Sequence, residues 1–101
     1  MKSRHLARSI VVQTLYSLDI NDKIHTTSTP YSDAFPGLTE EEESNLELEV
    51  VLYARIMIDG VLSNLKEIDE MINRFSTKRS IENISLVDRN ILRLSFYSLL
   101  Y

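Results

Sequence analysis

Lys2, Arg4, His5, Arg8, Gln13 and Tyr16 fall within the first eighteen residues of the chain, a stretch without one acidic side chain. Over the whole chain 11 Lys and Arg face 15 Asp and Glu, a formal net charge of −4, so this end stands apart. Winding the stretch as a helix at about 100° per residue gathers Leu6, Ala7, Ile10, Val11, Thr14, Leu15 and Leu18 on one side. Lys2, His5, Arg8, Ser9, Val12, Gln13 and Tyr16 share the other. Such a strip suits single-stranded RNA: cations meet phosphate, the amide meets a base edge, and the phenol ring offers a face for stacking. Three cations are nevertheless a modest patch. Taken alone, an ordinary solvated helix face is the weightier reading of these residues.

Catalysis has little to work with. His5 and His25 fall on an expected exposed helix face and in a loop, and there is no Cys, no H-E-x-x-H and no Gly-rich phosphate cradle. Glu40, Glu41, Glu42 and Glu43 read as a solvated helix start, and Glu67, Asp69 and Glu70 as the outer face of a helix. No pair of titratable groups is visibly set in a pocket, so the chain is read as a non-enzyme without metal or cofactor. The lack of cysteine excludes disulfides and thiolate metal sites and fits a reducing cytoplasm. No apolar run reaches the roughly 18 residues of a membrane span, and no secretory signal follows the basic N-terminus. The acidic balance argues against indiscriminate coating of nucleic acid, so any RNA binding has to come from a local patch.

The 101 residues suffice for one small domain. Its 44% hydrophobic content, with only two Gly and two Pro, suits a core of Leu, Ile and Val. Ser3 is placed to cap a first helix running to about Ile20. Residues 21–38 hold both prolines and one glycine and read as a long connection, with at most a turn of helix near residues 31–35. Thr39 and Glu42 form a capping box at the next helix start. A long central helix, bent near its start, follows from the three-and-four spacing of Val51, Ala54, Ile58, Val61, Leu65, Ile68, Ile72 and Phe75. Gly60 inside it costs about 1 kcal/mol against Ala unless another backbone packs there. Residues 76–83, with Lys78 and Arg79, read as a short helix or turn. Ser85 and Asp88 form a second capping box, opening a last helix from Leu86 onward that is apolar almost all round. Arg89 and Arg93, at i and i+4, are expected in surface pairs of little energetic weight, Asp88 as a helix-capping carboxylate, and Tyr97 and Tyr101 as core or rim aromatics. No segment shows strand periodicity and nothing repeats, so the fold class is all-α.

Three stretches together carry a family resemblance. ARSIVVQTLYSLDI (residues 7–20) resembles the opening helix of the transcription antitermination factor NusB family. YARIMIDGVLSNLKEIDEMI (residues 53–72) is similar to that family's long third helix, and SLVDRNILRLSFYSLLY (residues 85–101) to its central signature. The resemblance implies a NusB-like helical bundle, a single domain over residues 1–101, serving as an RNA-binding adaptor. It would bind boxA RNA together with NusE, a small-subunit ribosomal protein, and promote antitermination of ribosomal RNA transcription as part of a complex on RNA polymerase. Carried over residue by residue, the RNA surface comprises Lys2, Arg4, His5, Arg8, Gln13 and Tyr16. Asp88 and Glu82 match acidic positions on the side that faces NusE.

Two departures follow. The family has an arginine-rich N-terminal run where this chain has Lys2, Ser3, Arg4 and His5 and then Arg8, which implies weaker intrinsic RNA affinity and more reliance on NusE. The family also continues into two further helices after the position of Tyr101. The chain is therefore expected to be a C-terminal truncation whose second subdomain is incomplete. Leu92, Phe96 and Leu99 would lack a cover, and the molecule would be marginal as a monomer or would self-associate as a homodimer through that exposed face. Two alternatives remain open at this level: the NusB-like N-terminal domain of an RNA cytosine methyltransferase, and a helical protein-interaction module with no RNA role.

Overall fold

Nineteen residues without Gly or Pro form the first helix, α1 (Lys2–Ile20). The computed structural model describes residues 2–76 and 80–101. Ala7, Ile10, Val11, Leu15 and Leu18 of α1 are buried, and each large apolar side chain among them contributes roughly 1.5–3 kcal/mol on leaving water. Thr14 is buried with them because its hydroxyl donates to the Ile10 carbonyl at 2.8 Å. Two details differ from the sequence reading. The helix begins at Lys2, so Ser3 lies inside the first turn instead of capping it, and Leu6 is 44% exposed despite its place on the apolar arc.

The connection 21–38 contains no helix, not even at residues 31–35, yet it is tied down. Ile24, Tyr31 and Phe35 are buried. The Tyr31 amide donates to Asp59 Oδ1 at 2.7 Å, and Arg55 donates through Nη1 to the carbonyls of Tyr31 and Asp33 at 3.2 and 2.7 Å. The same guanidinium lies 4.2 Å from the centre of the Phe35 ring. Backbone groups that would otherwise be orphaned are thus satisfied by two side chains of the helix beneath.

The Thr39–Glu42 capping box forms reciprocally and opens a single turn, α2 (Glu40–Ser44). The expected long helix is two helices, α3 (Leu48–Ser63) and α4 (Leu65–Phe75). Its start is the separate α2, and a second break falls at Asn64, whose side-chain Nδ2 donates to the Gly60 carbonyl at 2.8 Å. That local bond competes with continuation of the helix. Only one residue is interposed, so the apolar seam survives: Ala54, Ile58, Val61, Leu65, Ile68 and Ile72 are buried. Val51 is half-buried and Phe75, at 73% exposed, has left the seam. What packs at Gly60 is a ring, not a backbone: a Cβ there would meet the end of the Tyr97 side chain, which would have to shift.

A 3₁₀ turn (Ile81–Asn83) leads to α5 (Leu86–Leu100); Lys78 and Arg79 lie outside the described residues. Ser85 Oγ accepts from the Asp88 amide at 3.3 Å, which is one half of the expected capping box; no return bond from the Asp88 carboxylate accompanies it. α1 packs chiefly on α3 and then on α5, and α4 packs on α5, giving the all-α bundle expected.

Arg89 and Arg93 are not surface pairs. Asp19, 6% exposed at the end of α1, accepts from Arg89 Nε and Nη2 at 2.6 Å each, from Asn90 Nδ2 at 2.9 Å and from Arg93 Nη1 at 2.9 Å. Arg93, 2% exposed, also grips Asp69 through Nε and Nη2 at 2.8 and 2.9 Å. Asp69 therefore faces inward rather than lying on the outer face of its helix. The fork of each guanidinium matches a carboxylate, so α1, α4 and α5 are joined by one charge-assisted network.

Candidate nucleic-acid interface

The polar arc of α1 points away from α3 because the apolar arc is consumed by the core. His5, Ser9 and Gln13 are exposed on it, and Arg8, Val12 and Tyr16 are half-buried. Arg8 Nη1 donates to Ser98 Oγ at 3.2 Å, and Ser98 in turn donates to the Leu94 carbonyl at 2.9 Å. The cation is thereby tethered to α5. Arg4 is exposed but leaves this strip: its guanidinium lies 5.5 Å from the centre of the Tyr53 ring on α3. Lys2 is the first residue of α1.

Two clefts open along the seam between α1 and α5, and Val12 lines both. One, of about 450 Å³, is bordered by His5, Arg8, Ser9, Ile91, Leu94 and Ser95. The other, of about 390 Å³, is bordered by Gln13, Tyr16, Ser17, Pro36, Gly37 and Val87. The first offers nitrogen donors and hydroxyls, the chemistry of an anion seat. The second is almost wholly apolar, with a phenol ring and an amide at its border. The structure thus brings His5 and Arg8 together in one cleft and Gln13 and Tyr16 in the next, and leaves Arg4 apart.

Glu82 lies in the 3₁₀ turn and Asp88 in the first turn of α5, both exposed at the same end of the chain's last third. Sequence reasoning missed Ser95, Ser98, Pro36, Gly37 and Val87 as neighbours of the strip. The Pro-Gly dipeptide signalled a turn, but nothing in the sequence placed that turn against α1. Among the described residues no group of three or more His, Asp and Glu could hold a metal ion, and no helix is long and apolar enough to cross a membrane.

Comparison with known proteins bears on what such a surface belongs to. The family model described as the NusB family matches residues 5–101. The chain belongs to the NusB family. Among curated relatives, the transcription antitermination protein NusB of Myxococcus xanthus is 33% identical over 101 residues, covering 100% of this chain and 69% of the relative. That of Citrifermentans bemidjiense is 36% identical, covering 100% and 70%, and that of Leptospira biflexa 33% identical, covering 98% and 65%. The chain thus spans about two thirds of the length of these relatives. The family is one of transcription antitermination proteins, not of enzymes. No solved structure matches.

Proposed function

We propose that the chain is a transcription antitermination adaptor that binds boxA-type single-stranded RNA and pairs with the ribosomal protein NusE, in the cytoplasm, as part of an RNA polymerase antitermination complex. Family membership supports the process, and the observation that carries the RNA reading is the adjacency along α1 of a cleft lined by His5 and Arg8 to one bordered by Gln13 and Tyr16. Lys2, Arg4 and Arg8 neutralise phosphate, and His5 offers it a ring N–H. Gln13 and Tyr16 contact unstacked bases, since phosphate contacts alone carry no sequence information. Glu82 and Asp88, both exposed, present carboxylates to NusE. The work is assembly: one surface takes RNA, another takes protein, and each lowers the cost of adding the other. Charge reversal tests it. Arg4→Glu with Arg8→Glu is expected to weaken RNA binding at least tenfold at low salt; unchanged binding would favour a protein-interaction module with no RNA role.

A further inference from the structure

α3 is apolar on two opposite sides. Val50, Ala54, Met57, Ile58 and Val61 are buried against the core. Leu48, Leu52 and Ile56 stand on the far side, each more than half exposed. Their four-residue spacing stacks the three side chains into one ridge about 12 Å long. A helix with one buried face ordinarily turns polar groups outward, and a helix that is apolar all round has neighbours on most sides. We propose that this ridge docks an amphipathic helix of a protein partner, one that presents aliphatic side chains flanked by lysine and arginine. The ridge shares no residue with the cationic strip of α1, so its occupant does not depend on RNA binding.

Charge selects that occupant. Between residues 40 and 59 the chain carries seven acidic side chains and one cation, Arg55. Arg55 is already engaged: its Nη2 meets Glu43 Oε1 at 3.4 Å, and its Nη1 donates to the carbonyls of Tyr31 and Asp33. At about 100° per residue Arg55 and Glu49 flank Leu52 on opposite sides. The Glu43 contact therefore holds α2, with Glu40, Glu41 and Glu42 exposed, to one margin of the ridge. Exposed Glu49 forms the other margin, and Glu47, whose side chain makes no capping bond to α3, stands at the start. An aliphatic ridge between acidic margins fits a cationic amphipathic helix, with leucines desolvated at the centre and charges paired at the rim. The same margins repel a second copy of this chain docked ridge to ridge, nucleic acid and an anionic lipid surface. Rows of side chains four apart pack into the matching grooves of a neighbour at about −50°, so the partner helix crosses α3 obliquely.

The test uses a labelled helical peptide of about 20 residues made of Leu, Lys and Ala, with every Leu on one face. Two controls accompany it: the same peptide with each Lys replaced by Glu, and one of the same composition whose Leu residues are scattered round the helix. In anisotropy titrations the wild type is expected to bind the Leu/Lys peptide at least tenfold tighter than either control. Leu52→Ser with Ile56→Ser is expected to lose that tenfold preference, since a few desolvated side chains dominate such a contact. Glu47→Gln with Glu49→Gln is expected to weaken binding severalfold and to flatten its salt dependence. Leu99→Glu, on the apolar end of α5, should leave binding unchanged. All four side chains replaced in the double variants are exposed, and their urea midpoints should stay near the wild-type value. No peptide binding, equal binding of the Leu/Glu peptide, or binding unmoved by Leu52→Ser with Ile56→Ser would overturn the proposal. So would sedimentation showing that this double variant dissociates a wild-type dimer, which would make a second copy the occupant.

Discussion

Asp19 sits at the junction of α1 with α5 and accepts hydrogen bonds from Arg89, Asn90 and Arg93. Removing it leaves Arg93 buried with Asp69 as its remaining carboxylate and leaves Arg89 without one. Asp19→Ala is expected to cost about 3–5 kcal/mol in urea unfolding, the range for breaking a buried pair. Burial pushes the Asp19 carboxyl up, but hydrogen bonds from Arg89 and Asn90 and the charges of Arg93 and Arg89 outweigh it and hold its pKa below the ordinary value. A depressed folded-state pKa contributes stability that is fully present above the unfolded value, about pH 4, and is lost as pH falls through the folded value. The urea midpoint of the wild type should therefore fall on acidification below about pH 4, and Asp19→Asn should be less stable at pH 7 with a shallower acid limb. None of this was legible in the sequence. The i, i+4 spacing of Arg89 and Arg93 is the same for a surface pair as for a buried fork, and their shared partner Asp19 lies 70 and 74 residues away.

At the scale of elements, apolar spacing did locate the helices, because a seam at three and four residues has to face a neighbour wherever the backbone breaks. What it left out was the break itself. Asn64 ends α3 through its own side chain, a local bond that leaves the apolar spacing undisturbed. Gly60 was legible as a place where something packs, and the packing group, the ring of Tyr97, comes from another helix. Ala at this position gains about 1 kcal/mol of helix propensity but must displace that ring, and overpacking costs about 1–3 kcal/mol. Gly60→Ala is accordingly expected to lower the urea midpoint, and adding Tyr97→Ala should make the Gly60→Ala step neutral or favourable. A Gly60→Ala step that stabilises the otherwise unaltered protein would show that α3 and α5 do not meet there.

Over the whole molecule, charge is segregated: an acidic chain keeps a cationic, acid-free strip on one helix. The strip was legible from residue types, and its conversion into two clefts was not, since that depends on where α5 and the 21–38 connection come to lie. Each lost phosphate contact reduces the salt slope of single-strand binding by about 0.7. Arg8→Gln should do so in anisotropy titrations across a salt series, while Lys66→Gln, on the exposed face of α4, should not. A second whole-molecule feature is the apolar end of the α4–α5 pair, where Phe75, Leu99, Leu100 and Tyr101 are 73, 83, 48 and 59% exposed. A patch of that kind promotes association. Sedimentation equilibrium should show concentration-dependent self-association that Leu99→Glu reduces, and a stable wild-type monomer at high concentration would contradict it.

On this reading the helical surface binds RNA jointly with a protein partner. The most direct measurement is fluorescence anisotropy of a labelled boxA-type RNA titrated with the chain, alone and with NusE, against a scrambled RNA. Preferential binding to the boxA-type RNA that tightens when NusE is added is the predicted result. Equal affinity for both RNAs in both conditions would contradict it.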